Sequence, residues 1–265
     1  MSKSRQRVRT RVEPGHGRSV RSMALRLPDG RELPEHAHAW AQVVFAARGV
    51  LWVEASSMRW IVPPQRCLWV PPGTAHRVRC VGEVHMRTVY VCPKLGATVG
   101  KPLGVLGVSP LLRELILEVV RIGVLDDGIG AHRALALLLA AQMAVATPLG
   151  LALRMPTDPR ARAVAERVLA SLKPGDEDDA TIAGLTRGSG ASVRTAERLF
   201  VRETGVSFGR WRQQARLQFA VRRLAEGVAV GTVALECGYG SVSAFVSMFR
   251  HALGTTPGRY CAGRP

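Results

Sequence analysis

Lysine is nearly missing from this sequence. Lys3, Lys94, Lys101 and Lys173 are the whole complement, although 37 basic residues face 20 acidic ones for a net charge of +17. The positive charge is therefore arginine, whose planar fork suits phosphate and guanine better than a point charge does. Such an excess predicts an anionic partner, nucleic acid ahead of a membrane surface. Paired cysteine spacing is missing as well. Cys67, Cys80, Cys92, Cys237 and Cys261 are scattered, odd in number and contain no CxxC. That excludes a disulfide framework and reads as reduced, inert thiols. No apolar run reaches the ~20 residues a membrane span needs; the longest, "ALALLLAAQMAVA" (134–146), falls short. The opening stretch "MSKSRQRVRTRVEPGHGRSVRS" has no apolar segment of the signal-peptide kind. We expect a soluble, cytoplasmic chain.

What is present suggests two units, since 265 residues with 47% hydrophobic content suffice for two cores. Residues 1–22 read as a basic flexible tail. From 23 to 100, short apolar or alternating stretches ("QVVFAARG", "VLWVEAS", "RWIVPP", "CLWVPPG", "MRTVYVCP") are broken by Pro and Gly. Strands so short and so punctuated predict an antiparallel barrel or sandwich. Residues 101–155 read as a helical linker in which "SPLLRELILEVVRIG" starts at a Ser-Pro cap. Its apolar helices suit a dimer interface or packing on their own barrel. "KPGDEDD" (173–179) reads as a polar loop, and 156–263 as all-helical. The fold class expected is α+β multidomain, a barrel followed by tandem helix-turn-helix modules.

In "TIAGLTRGSGASVRTAERLFVRETG" (181–205), Gly188 and Gly190 mark a tight turn between helices and Ser192 stands at an N-cap. Ala196, Leu199 and Phe200 share one face of the second helix; Arg194, Glu197, Arg198 and Val201 share the other. An outward stripe with two arginines suits a major-groove reader. The design recurs in "VAVGTVALECGYGSVSAFVSMFRHALG". There Phe245, Met248, Phe249 and Ala252 are expected inside, and Ser243, Val246, Ser247 and Arg250 outside. A helix rich in arginine, "SFGRWRQQARLQFAVRRLAEG", ties the two together and is expected to lie along DNA backbone.

"RLFVRETGVSFGRWRQQARL" and "VALECGYGSVSAFVSMFRHALGTTPGRY" make residues 160–260 resemble the DNA-binding domain of the AraC/XylS family of bacterial transcription regulators. The resemblance implies two modules in successive major grooves. By position it assigns Arg194, Glu197 and Arg198 to the first recognition helix and Val242, Ser243 and Ser247 to the second. Thr186 for alanine, Ala191 for a larger apolar residue, the glycine-rich "RGSG" and Ser247 for arginine depart from the family pattern. We therefore expect more base readout from the first module. Arg250 would supply phosphate contacts in the second, and Val242 contact with thymine methyls. The resemblance further implies an activator working beside RNA polymerase, and a homodimer.

"PEHAHAWAQ" places His36, His38 and Gln42 at equal parity, with Trp40 among them, and "PPGTAHRVRC" adds His76. Read as strand, these side chains face one way. Three imidazoles and an oxygen donor suit a divalent metal such as nickel, zinc or iron. The spacing is similar to the two cupin motifs, with Gln42 where metal cupins carry glutamate, Gln65 for glycine and Cys80 for asparagine. The whole arrangement resembles the sensor barrel of a cupin-containing AraC subgroup, which binds an effector or dimerises. Trp40 is the candidate pocket residue, with Trp52, Trp60 and Trp69 close by. The leading expectation is a regulator that binds promoter DNA and senses a small molecule or metal. The alternatives are a metal-dependent cupin enzyme of dioxygenase type and a basic nucleoid protein.

Overall fold

A computed structural model describes residues 17–172 and 181–262. The first sixteen residues of the basic tail, the 173–179 loop and the Cys261 side chain lie outside what is described. The first unit runs through β1 (Arg18–Leu27), β2 (Glu32–His36), β3 (Ala41–Ala55), β4 (Met58–Val62), β5 (Arg66–Val70) and β6 (His76–Val91). It continues with α1 (Pro93–Ala97), β7 (Gly104–Gly107), α2 (Pro110–Ile122), β8 (Val124–Asp126), α3 (Gly130–Val145) and β9 (Ala152–Arg154). All strand pairings are antiparallel, in the order β7-β5-β3-β6-β1-β8, with β2 on β6 and β9 on β4.

Two long strands make the fold. β3 and β6 pair along their whole length, yet their register slips between Ala46 and Val50. Gly49 sits at the slip with φ +75°, where an added Cβ would lie 2.5 Å from the Glu83 carbonyl oxygen. Only glycine fits there, and the bulge bends both strands. β3 therefore serves β5 with its first half and β4 with its second, while β6 turns from β2 to β1. The inner face carries Val44, Ala46, Leu51, Val53, Val78 and Met86. The alternating outer residues Val43, Phe45, Trp69 and Val89 are covered by Leu112, Ile116 and Val119 of α2 and Leu139 and Met143 of α3.

Two boundaries move. The tail expected to reach residue 22 gives way to β1 at Arg18, where Val20 is buried and pairs with Val91 of β6. The expected linker is not a spacer: residues 101–155 supply β7, β8 and β9 to the sheet and lay both helices on it. Strands of three or four residues carry too little alternation to be read in advance. α2 does begin at the expected cap, with Leu112 N–H donating to Ser109 Oγ at 3.1 Å and Pro110 following.

The second unit comprises α4 (Pro159–Ser171), α5 (Ile182–Thr186), α6 (Val193–Thr204), α7 (Phe208–Ala225), α8 (Val230–Glu236), α9 (Val242–Leu253) and α10 (Pro257–Ala262). Val164, Val168, Leu199, Phe200 and Trp211 form one helical core, which also takes in Leu153 and Met155 from the β9 segment. Phe200 meets Phe208 and Trp211 edge-on at 5.0 and 5.2 Å. The second core, around Val233, Phe245 and Phe249, runs through Leu217, Phe219 and Leu224 of α7 into Val62, Leu68 and Leu151 of the sheet. Polar contacts fix the junction: Trp211 Nε1 donates to the Arg154 carbonyl at 2.6 Å, and buried Gln218 Nε2 to that of Leu151 at 2.9 Å.

Candidate functional site

Two twelve-residue helices, α6 and α9, begin and end alike. Ser192 Oγ accepts from Thr195 N–H and Ser241 Oγ from Ala244 N–H, each at 3.2 Å. Gly205 and Gly254 close them in the left-handed conformation, at φ 79° and 70°. The preceding turns hold Gly188, Gly190 and Gly238 at positive φ, which lets each short leading helix fold back on its partner. Thr186, an unexpected residue before the first turn, is buried and donates to the Ala183 carbonyl at 3.0 Å.

The predicted stripe on α6 is in place. Ala196, Leu199 and Phe200 are buried, while Arg194, Glu197, Arg198 and Val201 face solvent. On α9, Val242, Ser243, Ser247 and Arg250 are exposed, and Phe245 and Phe249 are buried. Two assignments there change: Ala252 is exposed and Val246 is half-buried against the core. The helix is too close to its C-terminus at Ala252 for anything to cover that face.

The connecting helix departs from expectation. Arg223 forms a two-pronged ion pair with Glu236 of α8, both bonds 2.7 Å, and also reaches Glu226. The hydrogen bonds from Arg223 hold the Glu236 carboxyl below its ordinary range. Arg222 pairs with Glu226. Arg223 thus stitches α7 to the second module while Arg222 closes on the end of its own helix, and exposed Arg210 lies at the other end of α7. Glu203 was not legible as a key residue. Its carboxylate accepts the Thr157 and Asp158 backbone N–H groups at 2.8 Å each, ahead of α4. Those bonds, with Arg202, pull its pKa down to about 2. No spacing rule links residues 157 and 203; only the packing of α6 on α4 does.

The histidines converge, though not as one strand. β2 stops at His36, opposite His76 on β6, and residues 37–40 leave the sheet. The His38 carbonyl accepts from Gly73 N–H at 2.8 Å, so the Pro-Pro-Gly corner holds this loop over the strand. Ring centroids of His36, His38 and His76 lie 4.4–5.6 Å apart, and one nitrogen from each falls within 4.8 Å of the others. Nδ1 of His36 and Nδ1 of His76 are bound to the carbonyls of Pro34 and Thr74, at 2.6 and 3.0 Å. That directs the Nε2 lone pair of each outward from its anchor. Burial, and then the neighbouring imidazoles His36 and His76, lower the His38 pKa to about 4. His76 is lowered too, chiefly by burial. Neutral imidazoles are the metal-binding form.

Gln42 is buried beside this group. Its Nε2 donates to Thr88 Oγ1 at 2.8 Å and to Tyr90 OH at 3.3 Å, and the Tyr90 ring lies 5.0 Å from that of His38. Three buried atoms, His38 Nε2, His76 Nε2 and Gln42 Oε1, have no hydrogen-bond partner. An unmet buried acceptor costs about 1–3 kcal/mol. Imidazole nitrogens with an amide oxygen are a donor set for a first-row divalent ion, so these residues fit a metal. Trp40 is a different case. It is 2% exposed under the Arg21 guanidinium and borders no cavity described; Trp52 is the tryptophan that does.

Comparison with known proteins follows the same division. Residues 26–143 match the family model of the AraC-like ligand binding domain, and residues 185–262 a helix-turn-helix domain model. The HTH-type transcriptional regulator NimR of Escherichia coli is 31% identical over 229 residues, covering 86% of this chain and 82% of that protein. RipA of Corynebacterium glutamicum, also an HTH-type transcriptional regulator, is 32% identical over 42% of this chain and 34% of its own. Among solved structures, ToxT from Vibrio cholerae covers 92% of this chain and 97% of its own at 11% identity, with a TM-score of 0.38. NimR, which matches across most of the chain, is an HTH-type transcriptional regulator, and that favours the regulator reading over a cupin enzyme. This chain belongs to the AraC family of helix-turn-helix transcriptional regulators, with an AraC-like ligand-binding domain at its N-terminal side.

Proposed function

We propose that the protein binds promoter DNA in the cytoplasm through both modules, with Arg194, Glu197 and Arg198 reading bases in one major groove. Val242, Ser243 and Ser247 read the next, and Arg250 holds phosphate. The observation that carries this is the pair of serine-capped, twelve-residue helices whose matching faces are left open to solvent. Arginine suits guanine O6 and N7, and the small residues of α9 admit close approach of thymine methyls. Activation beside RNA polymerase follows from family analogy. A homodimer is supported by α3, whose Leu137, Leu138 and Val145 stay exposed after its other face is buried.

In the sensor domain, His36, His38, His76 and Gln42 would hold a divalent ion, nickel, zinc or iron. Bound there, it would supply a Lewis-acidic centre able to take a ligand oxygen or nitrogen. The chain's own part is to orient the His36 and His76 rings by the Pro34 and Thr74 carbonyls and to favour neutral His38 and His76 by burial.

The test is a promoter-fragment titration over a range of salt. Affinity should fall steeply with ionic strength as counterions are released. Arg198→Ala should cost about 1–3 kcal/mol on the specific fragment and little on scrambled DNA. An equal loss on both would remove Arg198 from base readout.

A further inference from the structure

Helix α6 is held at two places of different character. Its middle packs through Leu199 and Phe200 into the core shared with α4 and Trp211. Such apolar contact is non-directional and constrains tilt weakly. The last turn is held by Glu203. One carboxylate oxygen, Oε2, accepts the Thr157 N–H at 2.8 Å, the Thr157 hydroxyl at 3.1 Å and the Asp158 N–H at 2.8 Å. The other, Oε1, accepts from Arg202 at 2.9 Å. The Glu203 side chain is 13% exposed, so these directional bonds are largely shielded from water. They are not the cap of α4, because Asp158 Oδ1 already accepts the Arg160 N–H at 3.0 Å.

Residues 157 and 158 follow a stretch of chain that is fixed on the sheet. The Met155 N–H donates to the Ser57 carbonyl at 2.7 Å, and β9 just ahead of it pairs with β4. Glu203 therefore ties the end of α6 to an anchored strand exit. Arg194 lies nine residues away, about 14 Å along the helix, so a tilt of about 5° at the held end moves it by about 1 Å. Hydrogen bonds to base edges fail over about that distance. The second module is held otherwise. Glu236 of α8, 11% exposed, is bound twice by Arg223 of α7, a clasp that stays within the helical unit.

We propose that Glu203 is a positioning residue for base selection by the first module. By tying the last turn of α6 to residues 157 and 158, it sets the angle at which Arg194 and Arg198 meet their groove. It acts through the helix and not on a base. Glu236 holds the second module and leaves that angle alone, so the two clasps act on different half-sites of the DNA. The effect on selection rests on the reading of α6 as a base reader; the clasp itself does not.

The full chain is used to select from a random-sequence DNA duplex library, and the bound sequences are read for base preference. Wild type should enrich two half-sites, and Arg198→Ala marks the one that α6 reads. Glu203→Ala should flatten preference there by about tenfold or more, the worth of one well-placed arginine, and leave the other half-site unchanged. Glu236→Ala should spare the half-site of α6. Glu203→Gln keeps an acceptor oxygen for the two N–H groups and should hold preference within about threefold of wild type. Lost stability alone would weaken both half-sites alike. The proposal falls if Glu203→Ala changes both equally or neither, if Glu236→Ala flattens the half-site of α6 as much, or if the glutamine variant is no better than alanine. Should Glu203→Ala not fold by circular dichroism, Glu203→Met, which keeps the length and drops the acceptor, is read in its place. Amide exchange decides the clasp without DNA. Thr157 and Asp158 should be protected in wild type and exchange about tenfold faster or more without the carboxylate; no protection in wild type would overturn the clasp. Wild type that enriches no sequence would instead refute the DNA-binding reading and the effect on selection with it, and the exchange measurement would still decide the clasp.

Discussion

Changing Gln42 to glutamate restores the carboxylate that metal-binding cupins carry, and the structure gives the size and sign of the effect. The side chain is 4% exposed, so an isosteric exchange adds no steric strain and the cost is electrostatic. Gln42 now donates to Thr88 Oγ1 and Tyr90 OH. Both are hydroxyls and can turn to donate to a carboxylate, each such bond returning about 1.5–3 kcal/mol. Burying the charge costs several kcal/mol against that. The metal-free variant should therefore be less stable than wild type by about 2 kcal/mol. With a divalent ion among the histidines the same carboxylate becomes a ligand, and the sign reverses. At a free ion concentration one hundred times Kd, binding adds about 2.7 kcal/mol to either protein, so the variant gains on wild type by its tighter Kd, about 1.4 kcal/mol for each tenfold. The assay is urea unfolding of both proteins, once with chelator and once with excess zinc or nickel, beside metal content by plasma mass spectrometry. The variant should lose in chelator and recover or overtake with metal. An equal penalty in both conditions, with no metal retained by either protein, would refute the metal reading and leave the histidines as a hydrogen-bonding cluster.

Gly49→Ala forces a Cβ to within 2.8 Å of Val84 Cγ2, as well as onto the Glu83 carbonyl, at positive φ. Thermal unfolding should show a loss of about 2–4 kcal/mol, and an unchanged midpoint would mean that the bulge is not held as described. Glu203 has a folded pKa depressed to about 2 from 4.5, so the stability it adds is fully present above 4.5 and is lost as pH falls toward 2. Glu203→Gln should flatten the wild-type decline across that window in acid-unfolding curves; parallel curves would discount the bonds to residues 157 and 158. Leu138→Glu should shift sedimentation from dimer to monomer with the fold intact, whereas a monomeric wild type would end the case for α3 as an interface.

Legibility followed the range of the signals. Serine caps, glycine turns and i, i+3, i+4 spacing are local, and α6 and α9 were placed from them almost residue by residue. Burial depends on what packs against each face and is not local, so Ala252 lies exposed near the helix end while Val246 packs against the core. The sheet was recognisable as antiparallel from punctuated strands, yet β3 and β6 were read as fragments. A bulge at Gly49 looks like a stop in the sequence, although the pairing continues through it. The histidines were found for a reason only partly right. His36 and His76 meet as strand partners, but His38 arrives through the loop pinned by Gly73, which parity does not describe. Trp40 is buried and does not line the cleft that Trp52 borders, and a tryptophan near ligand-like residues looks the same in sequence whether it lines a cavity or fills a core. The ion pair of Arg223 with Glu236 depends on how α7 crosses α8, and thirteen residues of separation carry no rule.

The three residues of β9 have a consequence for how such chains are assembled from parts. They hydrogen-bond to β4 on one side, while the Arg154 and Leu151 carbonyls receive Trp211 and Gln218 on the other. Leu153 and Met155 meanwhile complete the first helical core. A cut just ahead of α4, the natural-looking seam between sensor and reader, would strip the reader of part of its interior, and a cut ahead of β9 would instead strip the sheet of an edge strand. Recombination between relatives, or grafting this reader onto a foreign sensor, should succeed only where the exchanged piece carries β9 together with a matching β4. The portable unit of this protein is larger than either of its halves.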